Sequence, residues 1–209
     1  MLFRSFPSVG DGSAGGVYKA TYNFGQRAFD YTPPTGFKAL NTANLPVPTV
    51  KDGTEYFNTV LWTGNSSTQA ITGVGFQPDF VWAKARSVGY AHNLFDAVRG
   101  ATKSLVSSSS AAEITLSGLT SFDSDGFSLG SAIDTNLTTH TYVGWNWKAG
   151  GSGSANTDGT ISSTVSVNAD AGFSVGTFSG TGSTGSIGHG LGVAPKWILI
   201  KNRDSEIGR

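Results

Sequence analysis

GVGFQPDFVWAKAR, residues 73–86, recurs in altered form at residues 190–203 as GLGVAPKWILIKNR. Each copy has a Gly-x-Gly turn, then a proline, then an apolar run that leads into a lysine and an arginine. Apolar runs of this length, bounded by glycine and proline and rich in β-branched and aromatic residues, are typical of β-strands. The recurrence therefore predicts a duplicated β unit, with a strand in each copy.

The duplication extends upstream of these stretches, because FNTVLWTG at residues 57–64 matches FSVGTFSG at residues 173–180. The offset of about 116 residues is too long for a solenoid repeat and fits a whole domain. We therefore predict an N-terminal region with its connector, one complete β-sandwich repeat, a flexible Gly/Ser linker, and the start of a second, truncated repeat. In order, these are residues 1–53, 54–150, 151–159 and 160–209.

The composition favours an all-β fold with very little helix. Hydrophobic residues make up 38% of the 209 residues, charged residues only 13%, and there are 29 glycines. A chain with many glycines, serines and threonines and few charges suits short strands joined by tight turns. We predict antiparallel β-sandwich modules of the jelly-roll or lectin-like kind. His92–Gly100 is the one plausible turn of helix, with Asp96 and Arg99 spaced to form an ion pair.

The charge balance and the absence of cysteine exclude several classes of function. Fourteen basic and fourteen acidic residues cancel, so a nucleic-acid partner is not expected. The chain has no cysteine and therefore no disulfide or thiolate metal site. The start of the chain lacks a signal-peptide core, and the longest apolar run, at residues 197–200, is too short to span a bilayer, so we expect no membrane association.

Motifs for catalysis or metal binding are weak. GTGSTG at residues 180–185 fits a dinucleotide-loop pattern, but the residues after it cannot open a helix, which predicts a hairpin loop. FDSDGF at residues 122–127 departs from the calcium-loop pattern and predicts a turn shaped by Asp123 and Asp125. The three histidines have no metal-ligand spacing, and no nucleophile elbow is present. We predict a protein that is not an enzyme and that has no metal or cofactor.

The candidate ligand-binding residues are aromatic. Strand alternation in YVGWNWK puts Tyr142, Gly144, Asn146 and Lys148 on one face and Val143, Trp145 and Trp147 on the other. Two tryptophans one pleat apart could form a flat surface for a sugar ring, or they could fill a sandwich core. Both readings remain open from the sequence. The candidates are Trp82, Tyr142, Trp145 and Trp147. Lys84 and Arg86 either carry the end of the strand into water or contact an acidic glycan.

Two parts of the chain resemble known families. YNFGQRAFDYTPPTGFKALN, residues 22–41, resembles the closing strands of SPRY-type β-sandwich modules. Residues 54–209 resemble an uncharacterised repeat domain that follows such tails in long proteins of marine and cyanobacterial phages. The shared stretches are TGVGFQPDFVWAKAR, SFDSDGFSLGS, YVGWNWKAGG and GHGLGVAPKWILIKNR.

The resemblance implies a virion structural protein, in a tail fibre, an appendage or the capsid surface, made in the host cytoplasm. Such proteins commonly assemble as symmetric homo-oligomers, so we expect a trimer or higher together with other virion proteins. A host-surface glycan is the further partner that the aromatic candidates suggest. The alternative is an extracellular role as a carbohydrate-binding module of a secreted bacterial protein.

Overall fold

A computed structural model describes residues 27–28, 32, 34–36, 38, 45 and 47–204. The chain divides into two compact units, Met1–Pro48 and Thr49–Arg209, and the regular secondary structure of the described residues lies in the second. The predicted SPRY-like tail falls largely outside the described residues. Within it, Thr35 and Gly36 form a turn.

The second unit is built from β-strands and very little helix. A 3-10 turn at Gly53–Glu55 precedes the first strand. The described residues then form twelve strands and one α-helix, in this order: β1 (Phe57–Thr63), β2 (Gln69–Thr72), β3 (Phe80–Ala85), β4 (Asn93–Asp96), β5 (Lys103–Val106), β6 (Ile114–Thr115), β7 (Leu119–Asp123), β8 (Gly126–Leu129), α1 (Ile133–Asn136), β9 (Thr141–Trp147), β10 (Ser154–Asn156), β11 (Ser163–Asn168) and β12 (Phe173–Phe178).

Strands β1 to β9 form two antiparallel sheets that share one core. The larger sheet has the order β1-β9-β3-β4-β5-β6 and the smaller has the order β2-β8-β7. Trp62 of the larger sheet meets Phe127 of the smaller edge-to-face, with ring centroids 5.6 Å apart. The predicted antiparallel β-sandwich is therefore confirmed. The core comprises Val60, Trp62, Ile71, Val74, Phe76, Val81, Ala83, Ala85, Phe95, Leu119, Phe127, Leu129 and Tyr142.

Strand β9 lies between β1 and β3 and pairs with both along nearly its whole length. Gly144 faces Val60 on one side and Ala83 on the other. Gly144 sits on the core face, where a Cβ atom would lie 3.1 Å from the Trp62 ring. The absence of a side chain there leaves room for the Trp62 indole next to the β9 backbone.

A buried amide fixes the corner where α1 meets the β1–β2 loop. The Asn136 Nδ2 group donates to Asn65 Oδ1 at 3.1 Å, to the Ser67 carbonyl at 2.6 Å and to the Gly130 carbonyl at 2.8 Å. Asn136 Oδ1 accepts from the Asn65 amide at 3.0 Å. The side chain of Asn136 is fully buried, so these bonds compensate for its removal from water.

The helix predicted within His92–Gly100 is wrong, because this segment enters the larger sheet as β4. Leu94 faces Trp82 of β3 on one side and Leu105 of β5 on the other. All four residues of β4 are buried, as expected for a strand whose two faces are both covered. The predicted Asp96–Arg99 ion pair does form, at 2.6 Å, across the turn that follows the strand.

The prediction of a flexible linker at residues 151–159 is wrong for its middle part. Ser154–Asn156 form strand β10, which pairs with β11, and β11 pairs in turn with β12 in a separate three-stranded sheet. Glycine and serine composition indicated flexibility, but the pairing of this tract depends on residues that follow it in the chain. The tract therefore belongs to a sheet.

The strand predicted in the second copy of the duplicated stretch is not observed. Trp197–Ile200, the counterpart of Phe80–Ala83, forms no β-ladder with any described residue, and all four residues are exposed. The two copies therefore occupy different environments. A strand forms when neighbours satisfy its backbone groups, and the first copy has two such neighbours.

Asn136→Ala is expected to destabilise the protein by about 2–4 kcal/mol, because it leaves several buried carbonyl and amide groups without partners. Urea denaturation followed by tryptophan fluorescence measures this loss. Ser131→Ala, at an exposed position just before α1, is the control and should leave the free energy of unfolding unchanged. Equal stability of the two variants would show that the Asn136 network does not fix this corner.

Candidate functional site

The aromatic residues of β9 separate onto two faces as the alternation predicts. Tyr142, Gly144 and Asn146 are buried on the core face. Trp145 and Trp147 are half-buried on the outer face, opposite Trp82 and Phe80 of β3 respectively. The outer face of the larger sheet is therefore the candidate functional surface.

Tyr142 does not belong to that surface, since its side chain is fully buried in the core. Its hydroxyl donates to the Ile133 carbonyl at 2.8 Å and accepts from the Leu137 amide at 2.9 Å. Its ring stacks on Trp62, with centroids 5.6 Å apart and planes 12° apart. Burial raises the pKa of Tyr142, so the hydroxyl stays protonated as a donor. The structure thus assigns this residue to packing.

The Trp147 ring packs against three phenylalanine rings. Its ring centroid lies 4.8 Å from Phe57, 5.4 Å from Phe80 and 5.9 Å from Phe173. Phe173 opens β12, so the contact brings the second β-sheet region onto the outer face of the larger sheet. We call these four residues the aromatic joint. The sequence aligned Phe173 with Phe57 as equivalent positions, but it gave no sign that both contact the same tryptophan.

Trp82 and Trp145 form a second aromatic pair on the same face. Their ring centroids are 6.3 Å apart and their planes are tilted by 82°, which is an edge-to-face contact. The Trp82 indole N–H donates to His92 Nδ1 at 3.0 Å. Burial and the nearby Lys84 charge lower the pKa of His92, which favours the neutral imidazole, the form that can accept this hydrogen bond. These two tryptophans, unlike Trp147, are not enclosed by the aromatic joint.

The two basic candidates behave differently. Lys84 donates to the carbonyls of Ala85, at 2.6 Å, and Val88, at 3.3 Å, at the end of its own strand. Its ammonium group therefore stabilises the strand end. Arg86 has an exposed side chain, while its backbone amide donates to the Thr141 carbonyl at 2.7 Å. Of the predicted site residues, the structure keeps Trp82 and Trp145 together and leaves Arg86 exposed at the end of β3.

The model of one protein family, described as a domain of unknown function (DUF7483), matches residues 52–208. The chain belongs to this family. The match begins before β1 and continues through both copies of the duplicated stretch, so DUF7483 includes the aromatic joint and Trp197–Ile200. No curated protein and no solved structure matches the chain.

Polar groups in the DUF7483 region serve mainly local structure. His92 accepts from Trp82, His140 contacts the Ser87 hydroxyl at 3.2 Å, and His189 accepts from the Leu191 amide at 3.2 Å. In the described part of the chain, no three histidine or carboxylate side chains converge in a way that could hold a metal ion. Nor does any helix there have the length and apolar character needed to cross a membrane.

The FDSDGF segment forms the turn between β7 and β8, as predicted, and it also holds a distant loop. The Asp125 carboxylate accepts from the amides of Gly73, at 3.1 Å, and Gly75, at 2.6 Å. Both glycines have positive φ angles, +88° and +86°, which favour glycine. Sequence reasoning assigned Asp125 to its own turn and missed this link, since the two segments lie some fifty positions apart.

GTGSTG at residues 180–185 is a loop after β12, and no helix follows it within the described residues. The chain then makes an isolated parallel bridge between Ile161 and Ile187. The predicted loop is therefore present, although it leads to this bridge and does not close a hairpin.

Asp125→Asn should lower the melting temperature, because the carboxamide has one acceptor oxygen in place of two and accepts less strongly than a charged carboxylate does. These hydrogen bonds hold the pKa of Asp125 below its usual value of about 3.9. Because the pKa of Asp125 is lower in the folded than in the unfolded state, its charge stabilises the folded protein at pH values above the unfolded-state pKa. This stabilisation is lost as the pH falls through the folded-state pKa.

The difference in melting temperature between the wild type and Asp125→Asn is therefore expected to be largest at neutral pH and to become smaller in acid. Thermal denaturation across the acid range measures it, with Ser124→Ala in the same exposed turn as the control. A difference that stays constant down to the lowest pH would contradict the assigned role of the Asp125 charge.

Proposed function

We propose that this chain is part of a structural protein of a bacteriophage virion, in a tail fibre, an appendage or the capsid surface. In this role its DUF7483 β-sheets build a rigid assembly, and host contact is secondary. The observation that supports assembly over ligand binding is the aromatic joint. It uses Trp147, half of the predicted sugar platform, to pack one sheet region on another.

The chain between the two sheet regions is fixed at several points. The Asp79 carboxylate accepts from the Ala149 amide at 2.7 Å, and the Gly150 amide donates to Ser166 Oγ at 2.8 Å. Trp147 and Phe173 stack with their planes 20° apart. Such aromatic pairs add about 0.5–1.5 kcal/mol beyond the area they bury. Contacts of this kind fix the two sheet regions to each other, which suits a structural protein.

The virion assignment itself rests on the resemblance of the quoted stretches to phage proteins. Low charge and turns rich in glycine, serine and threonine suit an exposed β assembly made in a reducing cytoplasm. Homo-oligomers, trimers or higher, and other virion proteins are the partners of this proposal. Closed symmetry is the usual form of such assemblies.

Antibodies raised against the full chain test the proposal. On particles of the phage that encodes the chain, purified on a density gradient, we expect labelling in negative-stain electron micrographs and a matching band in the particle fraction. Particles of a phage that lacks the gene are the control. Detection of the protein in the soluble fraction of the lysate, with unlabelled particles, would overturn the virion assignment.

The alternative, a carbohydrate-binding module, is favoured by one observation, the Trp82–Trp145 pair outside the aromatic joint. If the module binds sugar there, the full chain should bind glycans on an array, and Trp145→Ala should weaken that binding about tenfold or more, a loss of roughly 1.4 kcal/mol. Ile114→Ala, an exposed apolar residue on the edge strand β6, is the control. Absence of binding to every glycan would exclude this alternative and agree with a purely structural role.

A further inference from the structure

The two copies of the duplicated stretch share a backbone conformation up to the proline. Gly73 and Gly75 have φ angles of +88° and +86°, and their counterparts Gly190 and Gly192 both have +71°. L-residues with side chains rarely adopt this region, so the same turn is encoded twice. The copies diverge after the turn, where the first copy enters the larger sheet as β3.

The divergence exposes apolar side chains in the second copy. In β3, Val81 and Ala83 are at most 1% exposed. At the matching positions, Ile198 is 66% and Ile200 is 68% exposed, and Trp197 beside them is 70% exposed. A contiguous apolar run of this kind on a surface is typical of an interaction site.

The first copy shows what covers such a run. There β9 lies between β1 and β3 and pairs with both. The second copy has β12 as the counterpart of β1 and Trp197–Ile200 as the counterpart of β3. Among the described residues no strand takes the place of β9 beside them.

We propose that Trp197–Ile200 is a docking strand for a β-strand with the side-chain pattern of β9, contributed by another DUF7483 module. The added strand runs antiparallel to the docking strand, as β9 does to β3. In the first copy, Phe80 faces Trp147 and Trp82 faces Trp145. Transferred by alignment, this register sets Trp197 opposite the second tryptophan of the incoming strand and Leu199 opposite the first.

The chain just after the docking strand is anchored on the sandwich through Arg203. Arg203 donates to both oxygens of Glu113, at 2.9 and 3.1 Å, and its carbonyl accepts from the Glu113 amide at 2.9 Å. Arg99, whose side chain is 3% exposed, holds the same carboxylate at 3.0 Å. Burial opposes ionisation of Glu113, but the hydrogen bonds from Arg203 and Arg99 outweigh it and lower its pKa. The anchor restricts the segment before binding and so reduces the entropy lost on association.

Addition of a strand would satisfy the backbone of the docking strand and cover its apolar side chains at once. Strand addition of this kind draws affinity from main-chain hydrogen bonds and specificity from alternate side chains. The proposal rests on the assembly role given above and names the partner as a β-strand with the side-chain pattern of β9. Its test uses purified chain and a peptide, so its failure is distinguishable from a failure of particle labelling.

The probe is a fluorescein-labelled peptide with the sequence of residues 139–149, titrated with the full chain. We expect saturable binding by fluorescence anisotropy and slowed amide hydrogen exchange at Trp197–Ile200. The control peptide carries Gly144→Pro and Asn146→Pro, because proline removes the amides that a central strand needs. Absence of binding by the native peptide, or equal binding of the control peptide, would overturn the proposal.

A double variant, Ile198→Lys with Ile200→Lys, tests the location. Both side chains are exposed in the free chain, so the melting temperature should not change, whereas peptide affinity should fall about tenfold or more because two charges would have to be buried. Lys196→Ala, an exposed neighbour, should bind like the wild type. Unchanged affinity of the double variant would refute the assignment of the docking strand.

Self-association is a separate outcome of the same experiment. Light scattering shows whether the free chain forms dimers, and hydrogen exchange shows whether Trp197–Ile200 is already protected in them. If both hold and the peptide does not displace the second copy, then another surface of that copy covers the segment. That result would overturn the proposed β9-type occupant.

Discussion

The insertion of β9 between β1 and β3 is the constraint on which the rest of the structure depends. Its core face supplies Tyr142 and the gap at Gly144 into which Trp62 packs, and its outer face supplies both tryptophans of the candidate surface. Its neighbours come from much earlier in the chain, so the larger sheet closes only after Thr141–Trp147 arrives. Pairing between strands far apart in sequence costs chain entropy, and burial of the core that it completes must offset this cost.

The aromatic joint follows directly from that placement. Because Trp147 is on the outer face of a central strand, flanked by Phe57 and Phe80 from both neighbours, it offers a broad apolar site to Phe173. The same alternation that predicted a ligand platform thus produces a packing site between sheets. Whether such an outer face binds a ligand or packs on another sheet depends on the tertiary contacts that cover it.

Much of the fold could be predicted from local patterns. Alternation in YVGWNWK separated the two faces of β9 correctly, and glycine and aspartate at residues 122–127 marked the β7–β8 turn. Periodicity could not indicate which face of β9 is the core, so the sequence leaves Tyr142 open between core packing and ligand binding. Nor can periodicity show which strands from elsewhere in the chain will pair with a segment, which is why the sequence predicts a linker at β10 and a helical turn at β4.

Trp197–Ile200 illustrates the limit most clearly. Its sequence is as strand-like as that of Phe80–Ala83, and the turn before it adopts the same backbone, yet its side chains are exposed. The difference is the presence of β9 and β4 beside the first copy. Neighbouring strands decide whether a strand forms here, since the same kind of local sequence gives a paired strand in the first copy and an exposed segment in the second.

Native-state hydrogen exchange on the full chain tests this account most directly, because it reports the protection of each amide in the free protein. The account predicts that amides of Thr141–Trp147 and Phe80–Ala85 exchange only on global unfolding, and that amides of Trp197–Ile200 exchange nearly as fast as in an unstructured peptide. Equal protection of Trp197–Ile200 and Phe80–Ala83 in the monomer would contradict it.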